Sequence, residues 1–105
     1  MANFVLLYTG GSMPEGEAQQ KQVMDAWTGW FGSLGDKVVD GGNPFTPEGR
    51  KIDSGGKVGD TDGHRHSGYS IIKADSLDEA VKLAKGCPVL QGGASIEVYE
   101  AFPVM

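Results

Sequence analysis

One cysteine, two histidines and nine basic residues are all that this chain of 105 residues holds of those types. Each scarcity excludes something. A lone Cys87 cannot close an internal disulfide, so the fold is not stapled by cystines, which suits a reducing compartment. Fourteen acidic residues outweigh the nine basic ones and leave a net charge of −5. Binding nucleic acid through its phosphates needs a basic surface, and Arg50-Lys51 is the one adjacent Lys/Arg pair. No nucleic-acid partner is expected. Long apolar runs are also missing. None approaches the ~18 residues of a membrane span. The run Phe4 to Tyr8 is too short for the core of a signal peptide and has no basic flank ahead of it. The expected location is the cytoplasm, with no membrane partner.

What is abundant is glycine, 17 residues, about twice the usual share. Eight of them lie between Gly41 and Gly68, six before and three after. The length fits one domain with a modest core. Its two ends read as ordered and its middle as rich in turns.

Phe4 to Tyr8 reads as a first strand, closed by Thr9-Gly10-Gly11. It is apolar without alternation, so both of its faces should be covered. The spacing of Val23, Trp27, Trp30, Phe31 and Leu34 predicts a helix over residues 13 to 34, with Ser12 as its cap, Pro14 in its first turn and Gly35 past its end. Trp27 and Trp30 fall on the core stripe; the alternative is that Trp30 lines a ligand cleft. Lys37 to Asp40 reads as a second strand, broken by Gly41-Gly42-Asn43-Pro44. Asp53-Ser54-Gly55-Gly56 reads as a tight turn between Arg50–Ile52 and Lys57–Val58. Gly68 to Lys73 is a third strand. Ser76-Leu77-Asp78-Glu79 is a capping box opening a second helix, with Leu77, Ala80, Val81 and Ala84 as its buried face and Gly86 at its end. Ala94 to Ala101 is the last strand, on which Ile96 and Val98 alternate with Glu97, Tyr99 and Glu100.

The order strand, helix, strand, strand, helix, strand is the ferredoxin-like α+β arrangement. Both helices then cover one face of an antiparallel sheet. The first strand nonetheless asks for cover on both, and the chain has no third layer to give it. A second copy of the chain would supply one. The expectation is a homodimer whose sheets pack face to face.

Candidate chemistry is sparse. His64 and His66 stand two apart in the sequence Asp62-Gly63-His64-Arg65-His66. In an extended segment such a pair points one way and can share a proton-transfer task. A metal is a weaker alternative, because H-x-H needs further ligands and only Asp40, Asp60 and Asp62 offer them. Asp40 closes a strand beside a break, a common position for an acid–base group; it could equally hold the Gly41-Gly42 turn. Glu97 and Tyr99 share one face of the last strand, with Tyr69 in reach. They read either as a ligand cleft or as interface packing. Cys87 follows the C-terminal end of a helix, which disfavours a thiolate, so a catalytic thiol is not expected. Gly10-Gly11-Ser12 lacks the spacing of nucleotide-binding glycine motifs. No cofactor is expected.

Several segments resemble the YCII-related proteins, and in particular their DGPF branch. These are Thr61-Asp62-Gly63, Gly68-Tyr69, Ala74 to Ala80, Ala84 to Pro88 and Gly92 to Val98. Gly10-Gly11, the tryptophan-bearing first helix, Leu34-Gly35 and the run Asp40 to Pro44 agree with them. The resemblance implies one YCII-like domain over residues 1–105 and a dimeric α+β barrel; the glycine count marks 41–68 as a loop or hairpin insertion within it. Some relatives are proposed to use a His–Asp pair in a cleft. Here that pair is missing. The first helix has no histidine, Cys87 stands where an acid is expected before Pro88, and His64-Arg65 replaces the Pro-Phe of the DGPF motif.

The functional expectation is a small-molecule-binding homodimer whose cleft is lined by Trp30, Tyr69, Glu97 and Tyr99. Its chemistry would be of isomerase or lyase type, with Asp40 as base and His64 or His66 as acid or orienter. The alternative is a non-enzymatic binding or interaction module.

Overall fold

Period-two burial along two long strands organises the molecule. The computed structural model describes residues 1–11, 15–46, 48–61 and 66–104. Strand β1 (Ala2–Thr9) buries Phe4, Leu6 and Tyr8 and leaves the residues between them half-buried or exposed. It pairs antiparallel with β5 (His66–Ala74), which buries Gly68, Ser70, Ile72 and Ala74 in the same rhythm. The outer strands are β2 (Val38–Asp40), against β5, and β6 (Ser95–Ala101), against β1. The sheet runs β2-β5-β1-β6. Every neighbouring pair is antiparallel, the order of the ferredoxin-like α+β fold. A separate two-stranded ribbon, β3 (Lys51–Ile52) and β4 (Val58–Gly59), fills part of the glycine-rich middle.

Both helices, α1 (Gly16–Leu34) and α2 (Leu77–Ala84), lie on one face of the sheet. Trp30 and Leu34 of α1 join Ala80 and Ala84 of α2 over Phe4, Leu6, Tyr8, Ile72 and Ala74. Trp27 and Phe31 pack at the edge of this core, Trp27 meeting the Tyr8 ring edge-on at 5.9 Å. The shortest dimension of the molecule is 19 Å, the thickness of one sheet and one helical layer. No helix among the described residues is long and apolar enough to cross a membrane.

Three local expectations change. The helix expected from residue 13 begins at Gly16, because Glu15 has extended backbone and occupies the N-cap without a side-chain cap bond. Ser12, Met13 and Pro14 lie outside the described residues. The Ser76 hydroxyl does accept the Glu79 amide at 3.1 Å, but the Glu79 carboxylate turns to Lys37, 3.4 Å away. Finally, α2 buries less than its stripe suggests. Ala80 and Ala84 are buried, while Leu77 is 49% and Val81 38% exposed. The close approach is made by the two alanines, and the bulkier residues sit at the flank of so short a helix.

Candidate functional site

On the uncovered face, strand register fixes which side chains are neighbours. Leu7 lies between Tyr69 of β5 and Glu97 of β6. Val5 lies between Ile71 and Tyr99, and Thr9 between His66 and Ser95. A polar fringe thus surrounds an apolar floor of Val5, Leu7 and Ile71 at the end of the sheet where β1 finishes.

Asp40 joins this fringe from β2. The ladder slips by one residue between Val38 and Asp40, so Asp40 stands opposite Ile71. One carboxylate oxygen accepts the Gly42 amide at 2.9 Å, and the other accepts the Tyr69 hydroxyl at 3.3 Å. Asp40 therefore holds its turn and meets the phenol together. Gly42 makes this possible. Its φ is +78°, and a Cβ there would lie 1.6 Å from the Tyr69 carbonyl oxygen. Only glycine lets the two backbones approach so closely. Beyond the turn the chain continues along β5. Pro44 bridges Gly68, the Phe45 amide donates to the Ser67 carbonyl at 2.9 Å, and the Phe45 ring stacks on Tyr69 at 5.8 Å.

His66 sits past an irregularity in the β1–β5 ladder, which brings it opposite Thr9. Its Nδ1 is 3.1 Å from the Thr9 hydroxyl. The Tyr99 hydroxyl donates to Glu97 at 2.5 Å. That acceptor, with its negative charge, raises the Tyr99 phenol above its usual range. His64 and Asp62 lie outside the described residues. Among the described residues no three metal-ligating side chains gather.

Trp30 does not join this group. It lies on the opposite, helix-covered side, buried in the core, with its indole N–H donating to the Leu83 carbonyl at 3.2 Å. It edges a groove of about 470 Å³ between the helices, lined also by Lys37, Glu79 and Lys82. Trp30 thus shares no face of the sheet with Tyr69, Glu97 and Tyr99. Its place on the α1 core stripe, together with Leu34, sends it to the other face of the sheet.

A buried polar chain runs beneath the site. The Cys87 thiol points at the Tyr8 hydroxyl, 3.6 Å away, and Tyr8 donates to the Ser70 hydroxyl at 2.7 Å. Ser70 in turn donates to the Gly41 carbonyl at 2.8 Å. Every link runs donor to acceptor in one direction, from the core to the residue beside Asp40. Burial pushes the Tyr8 phenol and the Cys87 thiol above their usual ranges. For Cys87 the cause is burial, its hydrogen bonds with Val89 and Tyr8 acting the other way. Sequence reading missed this chain and Phe45. Tyr8 and Ser70 do carry a signal, since alternation puts both on the buried face, where a hydroxyl needs a partner. Phe45 carries none.

No curated protein matches the sequence significantly. Among solved structures, the chain is similar to a 5-chloro-2-hydroxyhydroquinone dehydrochlorinase from Burkholderia phenoliruptrix, determined in complex with 2,5-dihydroxybenzoquinone. Identity is 18%, the TM-score is 0.54, and the match covers 93% of each chain. At that identity the likeness speaks for the fold. The profile of the YCII-related domain matches residues 13–104. The strand order, the two helices on one face and this match agree: the chain belongs to the YCII-related domain family.

Proposed function

We propose that the protein is a homodimer that binds a small hydroxylated ring compound on the open sheet face and moves protons on it, in an isomerase- or lyase-like reaction. Asp40 is the base. His66, with His64, is the acid or orienter, and Tyr69, Glu97 and Tyr99 line the cleft. The observation that carries this reading is Asp40. A carboxylate on the Tyr69 hydroxyl shares a sheet face with His66, Glu97 and Tyr99 around an apolar floor. Convergent polar groups on an apolar surface are what a small ligand needs. A carboxylate and an imidazole are the usual carriers of a proton. The dihydroxybenzoquinone held by the similar structure supports a ring compound as the ligand class.

The same face supports the dimer. Val5, Leu7 and Ile71 are half-buried and Tyr99 is 54% exposed, with no layer over them among the described residues. The free edges β2 and β6 run antiparallel to each other. A two-fold axis can therefore set β2 of one copy beside β6 of the other and enclose the two apolar floors.

The test is titration with 2,5-dihydroxybenzoquinone and turnover of hydroxylated, halogenated rings by the wild type, Asp40→Asn and His66→Ala. Binding by the wild type and a fall in turnover of about 10²-fold or more for Asp40→Asn are expected. Turnover unchanged in both variants rejects the assignment. Binding with no turnover in any form returns the protein to the class of binding modules.

A further inference from the structure

We propose that the β3–β4 ribbon is an arm that docks on a second copy of this chain, against the turn Pro88–Gly92 and the start of β6. The proposal rests on the homodimer reading and adds to it a contact that sheet packing alone does not require.

The ribbon is built to hold its shape. The Asp53 amide donates to the Lys57 carbonyl at 2.9 Å, and the Gly56 amide to the Asp53 carbonyl at 3.0 Å. The Asp53 carboxylate accepts the amides of Gly55 and Lys57 at 2.9 and 2.8 Å. Gly56, at φ +88°, completes the turn. At the base, Arg50 and Asp60 approach to 3.9 Å. Yet a lone two-stranded ribbon is marginal in water, and this one shows its apolar side chains to solvent. Ile52 and Val58 stand directly opposite each other, 68% and 60% exposed. The molecule is correspondingly extended, with a radius of gyration of 15.1 Å against about 13 Å for a compact domain of this length.

Position selects the occupant. The arm springs from the β2 edge, after Pro44 and Phe45 have run alongside the start of β5. It therefore leaves the sheet at the end where β2 finishes. Because β6 is antiparallel to β2, that end of a joined partner carries the start of its β6 and the Pro88–Gly92 turn before it. There Leu90 is exposed and Glu97 is the near charge. The apolar pair of the arm fits the partner subunit's Leu90, and the cations Arg50 and Lys57 fit the partner subunit's Glu97. Arg50, Lys51 and Lys57 outnumber Asp53 and Asp60 on the arm, so a net positive segment projects from an acidic chain and is complementary to a second copy of it.

Sedimentation equilibrium on the full chain tests this. Wild type, Ile52→Asp/Val58→Asp, Leu90→Asp and their combination are compared, with circular dichroism reporting the fold. The wild type is expected to dimerise. The arm variant and Leu90→Asp should each weaken the dimer at least about tenfold, because a charge is forced into a contact that had buried aliphatic carbon. Their combination should weaken it little further, since both remove one contact. Should the aspartates disturb the ribbon itself, Ile52→Ser/Val58→Ser must show the same loss in milder form. A wild type that stays monomeric defeats the homodimer reading and the arm with it. A wild-type dimer that the arm variants leave equally tight, or losses that add in full, overturns the arm alone.

Discussion

The two faces of one sheet follow opposite rules although the same strands build both. On the helix side, Phe4 and Leu6 are fully buried, and the polar groups Tyr8, Ser70 and Cys87 are satisfied by one another and by the Gly41 carbonyl. On the open side, Val5 and Leu7 are half-covered, and Asp40, Tyr69, His66, Glu97 and Tyr99 stand at the surface in pairs. A buried hydroxyl without a partner costs about 1–3 kcal/mol, so the covered face spends its polar atoms on structure. The open face has no such constraint, and its polar atoms can serve a ligand. Alternation along β1 and β5 keeps the two purposes one residue apart.

The comparison breaks first at Leu6 and Leu7, neighbours on opposite faces. Leu6→Ala leaves a cavity under the helices and should cost about 2–5 kcal/mol at every protein concentration. Leu7→Ala should cost less in dilute solution and more where copies associate. Denaturant melts at two concentrations measure this. Equal, concentration-independent losses would mean that the open face is as enclosed as the core.

Gly42→Ala comes next, at about 1–3 kcal/mol or more. Its Cβ would stand 1.6 Å from the Tyr69 carbonyl oxygen, so the end of β2 must move off β5. Asp40 moves with it. The expected result is lower thermal stability together with a changed near-ultraviolet signal from the aromatic residues. A variant as stable as the wild type would mean that the β2–β5 contact is looser than its geometry.

Tyr8→Phe is milder, about 1 kcal/mol, and its sharper signature is in pH. In the folded chain burial raises both the Tyr8 phenol and the Cys87 thiol. The unfolded chain releases these protons near their ordinary values, about 8.5 for cysteine and 10 for tyrosine. Between those values and the raised ones the unfolded state holds fewer protons, so stability falls as pH rises. Urea melts from pH 8 to 11 should show a steeper loss for the wild type than for Tyr8→Phe. Parallel slopes would remove Tyr8 as the source.

Much of this division was legible in the sequence. The unalternating run Phe4 to Tyr8 announced a strand with two apolar faces, and the strand–helix order implied that the helices cover only one. The turn at Asp53 to Gly56 and the cap at Ser76 could be read because their signals are local. What could not be read depends on register. The slip between Val38 and Asp40, and the one between Tyr8 and Thr9, decide that Asp40 meets Tyr69 and His66 meets Thr9. Neither slip leaves a mark in composition or periodicity. Trp30 reads both ways, since a large aromatic fits a cleft or a core, and its stripe on α1 is the signal that places it in the core.

The smallest effect expected is also the most selective. Tyr99 and Glu97 lie on the open face two residues apart on β6, and the phenol donates to the carboxylate. Deprotonating Tyr99 would lose that bond and set two negative charges side by side, so its titration is pushed upward. Glu97→Ala removes both causes. It should lower the titration of one tyrosine in an ultraviolet pH titration and, in dilute solution where copies are apart, leave the melting temperature almost unchanged, as exposed substitutions usually do. On the covered face no polar atom can be removed so cheaply, since Tyr8, Ser70 and Cys87 each leave a buried partner behind. If Glu97→Ala instead melts the protein, Glu97 is a structural group, and the open face obeys the same rule as the covered one. If the tyrosine shift appears without loss of stability, the acid–base character of this face can be tuned independently of the fold, as a face used for chemistry requires.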